Sequence, residues 1–222
     1  MKAAVLFSGG KDSCLALHIA KQKGYNIRHL LSVIPRNFDS FMFHKPDEKL
    51  LKKQAEMLGI ELIIEKSKGL KEKELDDLKK LLKKAKDKGI ELIIVGGIAS
   101  NYQGSRVEKI CKELELKFYA PLWDYDGEKI WKELFENNFK VILTKIACEG
   151  ISSEFLGKII TREMFEKLKK LSEKYKFRLD FEGGEAESAV VFMPGFKKPI
   201  KIDFDIIRED NYRSYLKIKN IK

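Results

Sequence analysis

Cysteine is scarce in this sequence: Cys14, Cys111 and Cys148 are the only three, and no two form a CxxC pair. That argues against a disulfide framework and against a zinc or iron–sulfur cage, and it reads the three thiols as core residues of a protein from a reducing compartment. Histidine is equally sparse, and His18, His29 and His44 show no metal-ligand spacing. Arginine makes up only seven of the 44 basic residues, so the net charge of +10 is carried by lysine alternating with glutamate. This is the pattern of solvated helix faces, not of a compact arginine-rich patch for nucleic acid. No apolar run reaches the roughly 20 residues that span a bilayer. The opening MKAAVLFSGG also meets Gly-Gly too early for a secretory leader. A cytoplasmic protein with no membrane partner is the expectation.

What is present is a chain of 222 residues, 44% hydrophobic, long enough to bury roughly 70% of its unfolded surface in one large or two small domains. Short apolar runs at 3–7, 29–34, 61–65, 91–95 and 118–122 alternate with helix-period segments at 13–23, 47–58, 75–89 and 103–114. That rhythm predicts an α/β fold, a Rossmann-like doubly wound parallel sheet over residues 1–125. It changes near residue 126. Helices at 128–137 and 161–174, the latter capped by Thr161, and strands at 140–147, 188–193, 199–204 and 212–218 predict a smaller C-terminal α+β domain, 126–222.

The stretch Ser8-Gly9-Gly10-Lys11-Asp12-Ser13 lies between the first apolar strand and the first helix. Glycines there let successive N–H groups face an anion, the helix N-terminus favours negative charge, and Lys11 adds a full positive charge, so phosphate binding follows. The order of residues is neither a Walker A loop nor GxGxxG. An ordinary capped β-to-α turn is the alternative. Two further clusters carry chemistry. Gly96-Gly97 ends the fourth strand at the carboxyl edge that parallel sheets use for ligands. Glu182-Gly183-Gly184-Glu185 places two carboxylates around a flexible turn suited to Mg²⁺, ammonium or a cationic substrate.

The six-residue loop resembles the PP-loop of the ATP pyrophosphatase superfamily, which implies the adenine nucleotide alpha hydrolase type of sheet. By this resemblance Ser8, Gly9, Gly10, Lys11 and Ser13 bind the phosphates of ATP, Asp12 acts near the metal or caps the helix, and adenine is read around Ser32 and Val33. Nearly the whole chain is also similar to the diphthine–ammonia ligases that complete diphthamide on translation elongation factor 2. The similarity runs through Ser40 to His44, Gly96-Gly97-Ile98, Tyr102-Gln103, Arg106-Val107-Glu108, Ala120 to Trp123, Leu156-Gly157 and the Glu182 to Glu185 turn. Ser188 stands where that family often has threonine.

The resemblance implies amidation of diphthine by ammonium through an acyl-adenylate, with release of AMP and pyrophosphate. Lys11, Asp12, Glu182 and Glu185 are then catalytic, Asp12 is a ligand of Mg²⁺, and Gly96 and Gly97 help bind ATP. His44, Tyr102, Gln103, Arg106, Glu182, Gly183, Gly184 and Glu185 contact the substrate. The implied partners are ATP, ammonium and the diphthine-bearing elongation factor, with nucleic acid not expected and a homo-oligomer left open. Amidation of a small corrinoid-type acid, a tRNA-modifying PP-loop activity and a non-catalytic ATP sensor are the rival readings.

Overall fold

The computed structural model describes residues 1–35, 47–67, 73–96 and 101–222, with backbone only at 73 and 101–103. These form two compact units, Met1–Ser8 with Asp12–Trp123, and Gly9–Lys11 with Asp124–Lys222.

The first unit is built on five parallel strands, β1 (Lys2–Leu6), β2 (Asn26–Pro35), β3 (Glu61–Ser67), β4 (Leu92–Val95) and β5 (Lys117–Tyr119), in the order β3-β2-β1-β4-β5. The central β1 is flanked on both sides, and its Ala3, Ala4 and Val5 are fully buried, which is why this strand reads as an unbroken apolar run. Four helices connect the strands: α1 (Lys11–Gln22), α2 (Glu48–Leu58), α3 (Lys73–Asp87) and α4 (Asn101–Glu113). Right-handed crossovers with a reversal of direction after β3 place α1 and α2 on one face and α3 and α4 on the other. On the second face Leu78, Leu81, Leu82 and Ala85 of α3 and Val107, Ile110 and Cys111 of α4 close over Ala4, Leu31, Val33, Ile93 and Val95. Each fully buried leucine there contributes about 1.5–3 kcal/mol. In α2, Asp47 accepts the Leu50 N–H at 3.0 Å, and Gly59 ends the helix in the left-handed conformation. On the exposed side, lysines pair with glutamates of neighbouring elements, such as Lys84 with Glu65 and Lys79 with Glu113, both at 2.6 Å. Pairs of this kind keep the surface solvated and add little stability.

The second unit contains α5 (Gly127–Glu136), β6 (Lys140–Ala147), a 3₁₀ turn (Ser153–Phe155), α6 (Arg162–Tyr175), β7 (Ala186–Phe192), β8 (Ile202–Arg208) and β9 (Arg213–Ile221). Its strands are antiparallel in the order β7-β6-β9-β8. Trp131 on α5 is wholly buried, with ring centroids 5.4 Å from Phe165, 5.7 Å from Phe135 and 6.2 Å from Phe181. Asp126 and Thr161 cap α5 and α6 through the N–H groups of Lys129 and Met164.

The α/β architecture is the expected one, while several element ends differ. The strand expected at 118–122 stops at Tyr119, because Pro121 has no N–H to give a ladder and the Trp123 N–H turns back to the Ala120 carbonyl. The last two strands form one longer hairpin, in which Ile202 pairs with Ile221 and Arg208 with Ser214. Among the described residues no helix is long and apolar enough to cross a membrane.

Candidate active site

The loop after β1 is fixed from both ends. The Phe7 N–H donates to the Leu31 carbonyl at 2.7 Å, and the Ser32 hydroxyl donates to the Phe7 carbonyl at 2.5 Å, so β1 and β2 stay in register up to the loop. Ser13 Oγ accepts the Ser8 N–H at 3.3 Å and lies 3.2 Å from Ser8 Oγ, closing the turn over its own ends. Gly9 turns at φ 74°, a left-handed backbone that favours glycine. Helix α1 then begins at Lys11, with Asp12 in its first turn. The carboxyl ends of β1 and β4 lie side by side where the strand order reverses, the position at which open α/β sheets bind ligands.

Gly96, at the end of β4, abuts this loop. A Cβ there would stand 2.6 Å from the Asp12 carbonyl carbon and the Ser13 nitrogen, and 2.7 Å from Ser13 Cα. The β4 end therefore packs directly on the backbone of the first turn of α1, and it does so only as glycine. This close approach brings the fourth strand and the loop together at one point of the sheet edge.

In the second unit Lys11 is only 2% exposed. Its ammonium donates to the Asp180 carbonyl at 2.5 Å and sits 5.5 Å from the Phe181 ring centroid, while its backbone N–H donates to Ser188 Oγ at 3.2 Å. The Gly9 carbonyl accepts the Val190 N–H of β7 at 3.0 Å. Ser188 thus supplies the hydroxyl that a threonine would also provide.

The acidic turn is anchored to the sheet. The Glu185 carbonyl accepts the Ala147 N–H at 2.8 Å, Glu185 Oε1 accepts the Arg178 N–H at 3.1 Å, and the Glu182 N–H donates to Asp180 Oδ1 at 3.0 Å. Glu185 Oε2 is buried and accepts no hydrogen bond among the described residues. A buried acceptor left unmatched is costly, so this oxygen fits a donor or cation brought by a ligand. Burial pushes the neighbouring Cys148 thiol up to about 11, with the Glu185 charge adding to the effect. Among the described residues no three His, Cys, Asp or Glu side chains are grouped to hold a metal. Mg²⁺ carried by nucleotide phosphates needs only one or two carboxylates, a number that Asp12 or Glu185 fits.

Ser8, Gly9, Gly10, Lys11, Asp12, Ser13 and Gly96 thus meet at or beside one loop. Glu182, Gly183, Gly184 and Glu185 form the turn whose preceding residues, Asp180 and Phe181, touch Lys11. Ser32 and Val33 are buried inside β2, which continues to Pro35, and the Ser32 hydroxyl is committed to Phe7. Arg106 is half-buried on α4. His44 and Gly97, and the side chains of Tyr102 and Gln103, lie outside the described residues. Sequence reasoning passed over Arg178, Asp180 and Phe181. The only signal was an Arg-x-Asp spacing just before the acidic turn.

Burial alone raises the pKa of Asp180, but the Arg178 hydrogen bonds, the Glu182 N–H and the Arg178 and Lys11 charges outweigh it and hold the carboxyl below its ordinary 3.8. The folded state therefore binds this proton less tightly than the unfolded chain. Its stabilisation is fully present above the unfolded pKa and is lost as pH falls through the folded one. In urea titrations, the stability difference between the wild type and Asp180→Asn is expected to stay constant above about pH 5 and to shrink below about pH 4. A difference that stays constant down to pH 2 would show that the carboxylate charge contributes nothing.

Two family models match the chain: one described as the diphthamide synthase N-terminal domain over residues 1–118, the other as the diphthamide synthase C-terminal domain over residues 126–222. Among curated relatives, the diphthine–ammonia ligase of Mus musculus is 34% identical over 223 residues, covering 91% of this chain and 83% of the mouse protein. That of Homo sapiens is 33% identical over the same shares. The diphthine–ammonia ligase of Schizosaccharomyces pombe is 33% identical over 238 residues and covers 99% of this chain, which spans 39% of the yeast protein's length.

Proposed function

Since the chain belongs to the diphthamide synthase family, we propose that it is a diphthine–ammonia ligase, an ATP-consuming enzyme that forms a carbon–nitrogen bond. The observation that carries this reading is the SGGKDS loop at the strand-order reversal, in a chain matched by both domains of that family.

A carboxylate is a poor electrophile at neutral pH, so the acid must gain a leaving group before ammonia can displace it. In the proposed reaction a carboxylate oxygen of diphthine attacks the α-phosphorus of ATP, and the bond to the bridging oxygen breaks to release pyrophosphate. The ammonia nitrogen then attacks the acyl carbon, the bond to the AMP oxygen breaks, and the surplus proton leaves to solvent. The chain's part is to bind and orient. Ser8, Gly9, Gly10, Lys11 and Ser13 hold the phosphates, and the N-terminus of α1 adds its positive end. Asp12 would hold Mg²⁺ brought with the nucleotide, and the ion would offset phosphate charge. Adenine is read around Ser32 and Val33, and Gly96 and Gly97 help bind the nucleotide.

Glu182 and Glu185, with Gly183 and Gly184 shaping the turn between them, face the trimethylammonium of diphthine or the incoming ammonium. His44, Tyr102, Gln103 and Arg106 complete the substrate contacts, with Arg106 suited to a carboxylate. The substrate partner is diphthine-bearing elongation factor 2, met in the cytoplasm.

The test is to incubate the protein with Mg-ATP, ammonium and diphthine-bearing elongation factor, and to follow AMP together with the mass of the modified histidine. The expected result is an acid-to-amide mass change stoichiometric with AMP. AMP without that change would move the substrate to a small acid. Neither product, from folded protein that binds ATP, would leave a nucleotide sensor.

A further inference from the structure

The short segment before the acidic turn is held more tightly than a connecting loop requires. Asp180 accepts Arg178 Nε at 2.9 Å and Nη2 at 2.5 Å, a bidentate pair, and the same carboxylate accepts the Glu182 N–H. Its side chain is 13% exposed. One residue earlier, the Leu179 carbonyl accepts the indole N–H of buried Trp131 at 3.0 Å. One residue later, Phe181 is buried at φ 61°. A bulky residue adopts that backbone only where its surroundings fix it. Here the ring is fixed edge-on to Trp131 and offers Lys11 a π face.

We propose that Asp180 is a positioning residue for Lys11: its carboxylate, paired with Arg178 and the Glu182 N–H, locks the turn so that its own carbonyl and the Phe181 ring hold the Lys11 ammonium in place for phosphate. The inference rests on Lys11 being a phosphate-binding group, as in the function proposed above. A lysine side chain carries a large rotamer entropy, and confining it before the ligand arrives strengthens binding. Asp180 acts on Lys11 through its main-chain carbonyl and through its carboxylate charge, and is not itself placed on a reacting atom.

Two measurements on the whole 222-residue chain decide the matter. The first is the rate at which the Lys11 ε-amine is reductively methylated, read by mass spectrometry against an exposed lysine such as Lys52. It needs no nucleotide. Asp180→Ala is expected to raise this rate about tenfold, from the loss of a nearly complete burial. The second is ATP affinity by calorimetry in a double-mutant cycle with Lys11→Met. Asp180→Ala is expected to weaken ATP binding about tenfold when Lys11 is present and less than about twofold when it is not.

An unchanged Lys11 methylation rate in folded Asp180→Ala, or an equal loss of ATP affinity in both backgrounds, would overturn the proposal. Asp180→Asn keeps an acceptor for the Glu182 N–H and loses the ionic pair with Arg178. It gives the same two readouts, with smaller expected changes, should the alanine variant not fold. A wild type that binds no ATP would instead overturn the proposed ligase function, and the methylation rates would still judge the positioning role.

Discussion

Lys11→Met is expected to lower kcat/KM for AMP formation about 10²- to 10³-fold, the loss seen when one preorganised charge-stabilising donor is removed from an active site. Methionine keeps much of the aliphatic stem that fills the nearly closed space around residue 11, so the change isolates the ammonium from the packing. Lys11→Arg is expected to recover little. Its planar guanidinium is wider than an ammonium, and the Asp180 carbonyl at 2.5 Å with the Phe181 ring beside it leaves room for a compact cation. Single-turnover AMP release at saturating substrate separates the chemical step from binding. A Lys11→Met protein retaining more than about one tenth of the wild-type rate would remove this side chain from the charge-stabilising role assigned to it.

The parallel half of the fold was legible because its strands are short apolar runs and its helices carry apolar residues at helical spacing. In the segment at 75–89, Leu78, Leu81, Leu82 and Ala85 form one buried stripe. The turn itself was legible for a different reason: two glycines at the junction of an apolar strand and a helix let the backbone reverse sharply. Less could be read where long-range contacts decide. The ends of β8 and β9 follow from their pairing with each other, which leaves no local signature. Asp180 and Phe181 look like ordinary loop residues in the sequence, since their roles depend on Lys11, 169 positions away, and on Trp131. The left-handed backbone of Phe181 runs against its residue type, so propensity pointed away from the conformation that the segment adopts.

Gly96→Ala is expected to cost about 1–3 kcal/mol of stability, as overpacking in a closed interior does, and to weaken ATP binding by more than the stability loss explains. The reason lies in which atoms the new methyl would meet. They are the Asp12 carbonyl carbon and the Ser13 nitrogen and Cα, all main-chain, and main chain inside a helix cannot swing aside as a flexible side-chain tip would. Relief must come from moving the end of β4 away, or from tilting the first turn of α1, whose N–H groups are proposed to bind the phosphates. β4 is hydrogen-bonded on both sides, to β1 and to β5, so the first turn of α1 is the freer of the two. A displacement of about 1 Å in a positioning element is enough for a rate loss near 10²-fold, so AMP formation should fall along with nucleotide affinity. Gly96→Val should deepen both losses, because a branched Cβ enlarges the clash. Urea unfolding together with ATP calorimetry checks the argument. A Gly96→Ala protein with wild-type ATP affinity and lowered stability would show that β4 yields instead, and that the glycine serves the packing of the sheet edge without setting the geometry of the phosphate loop.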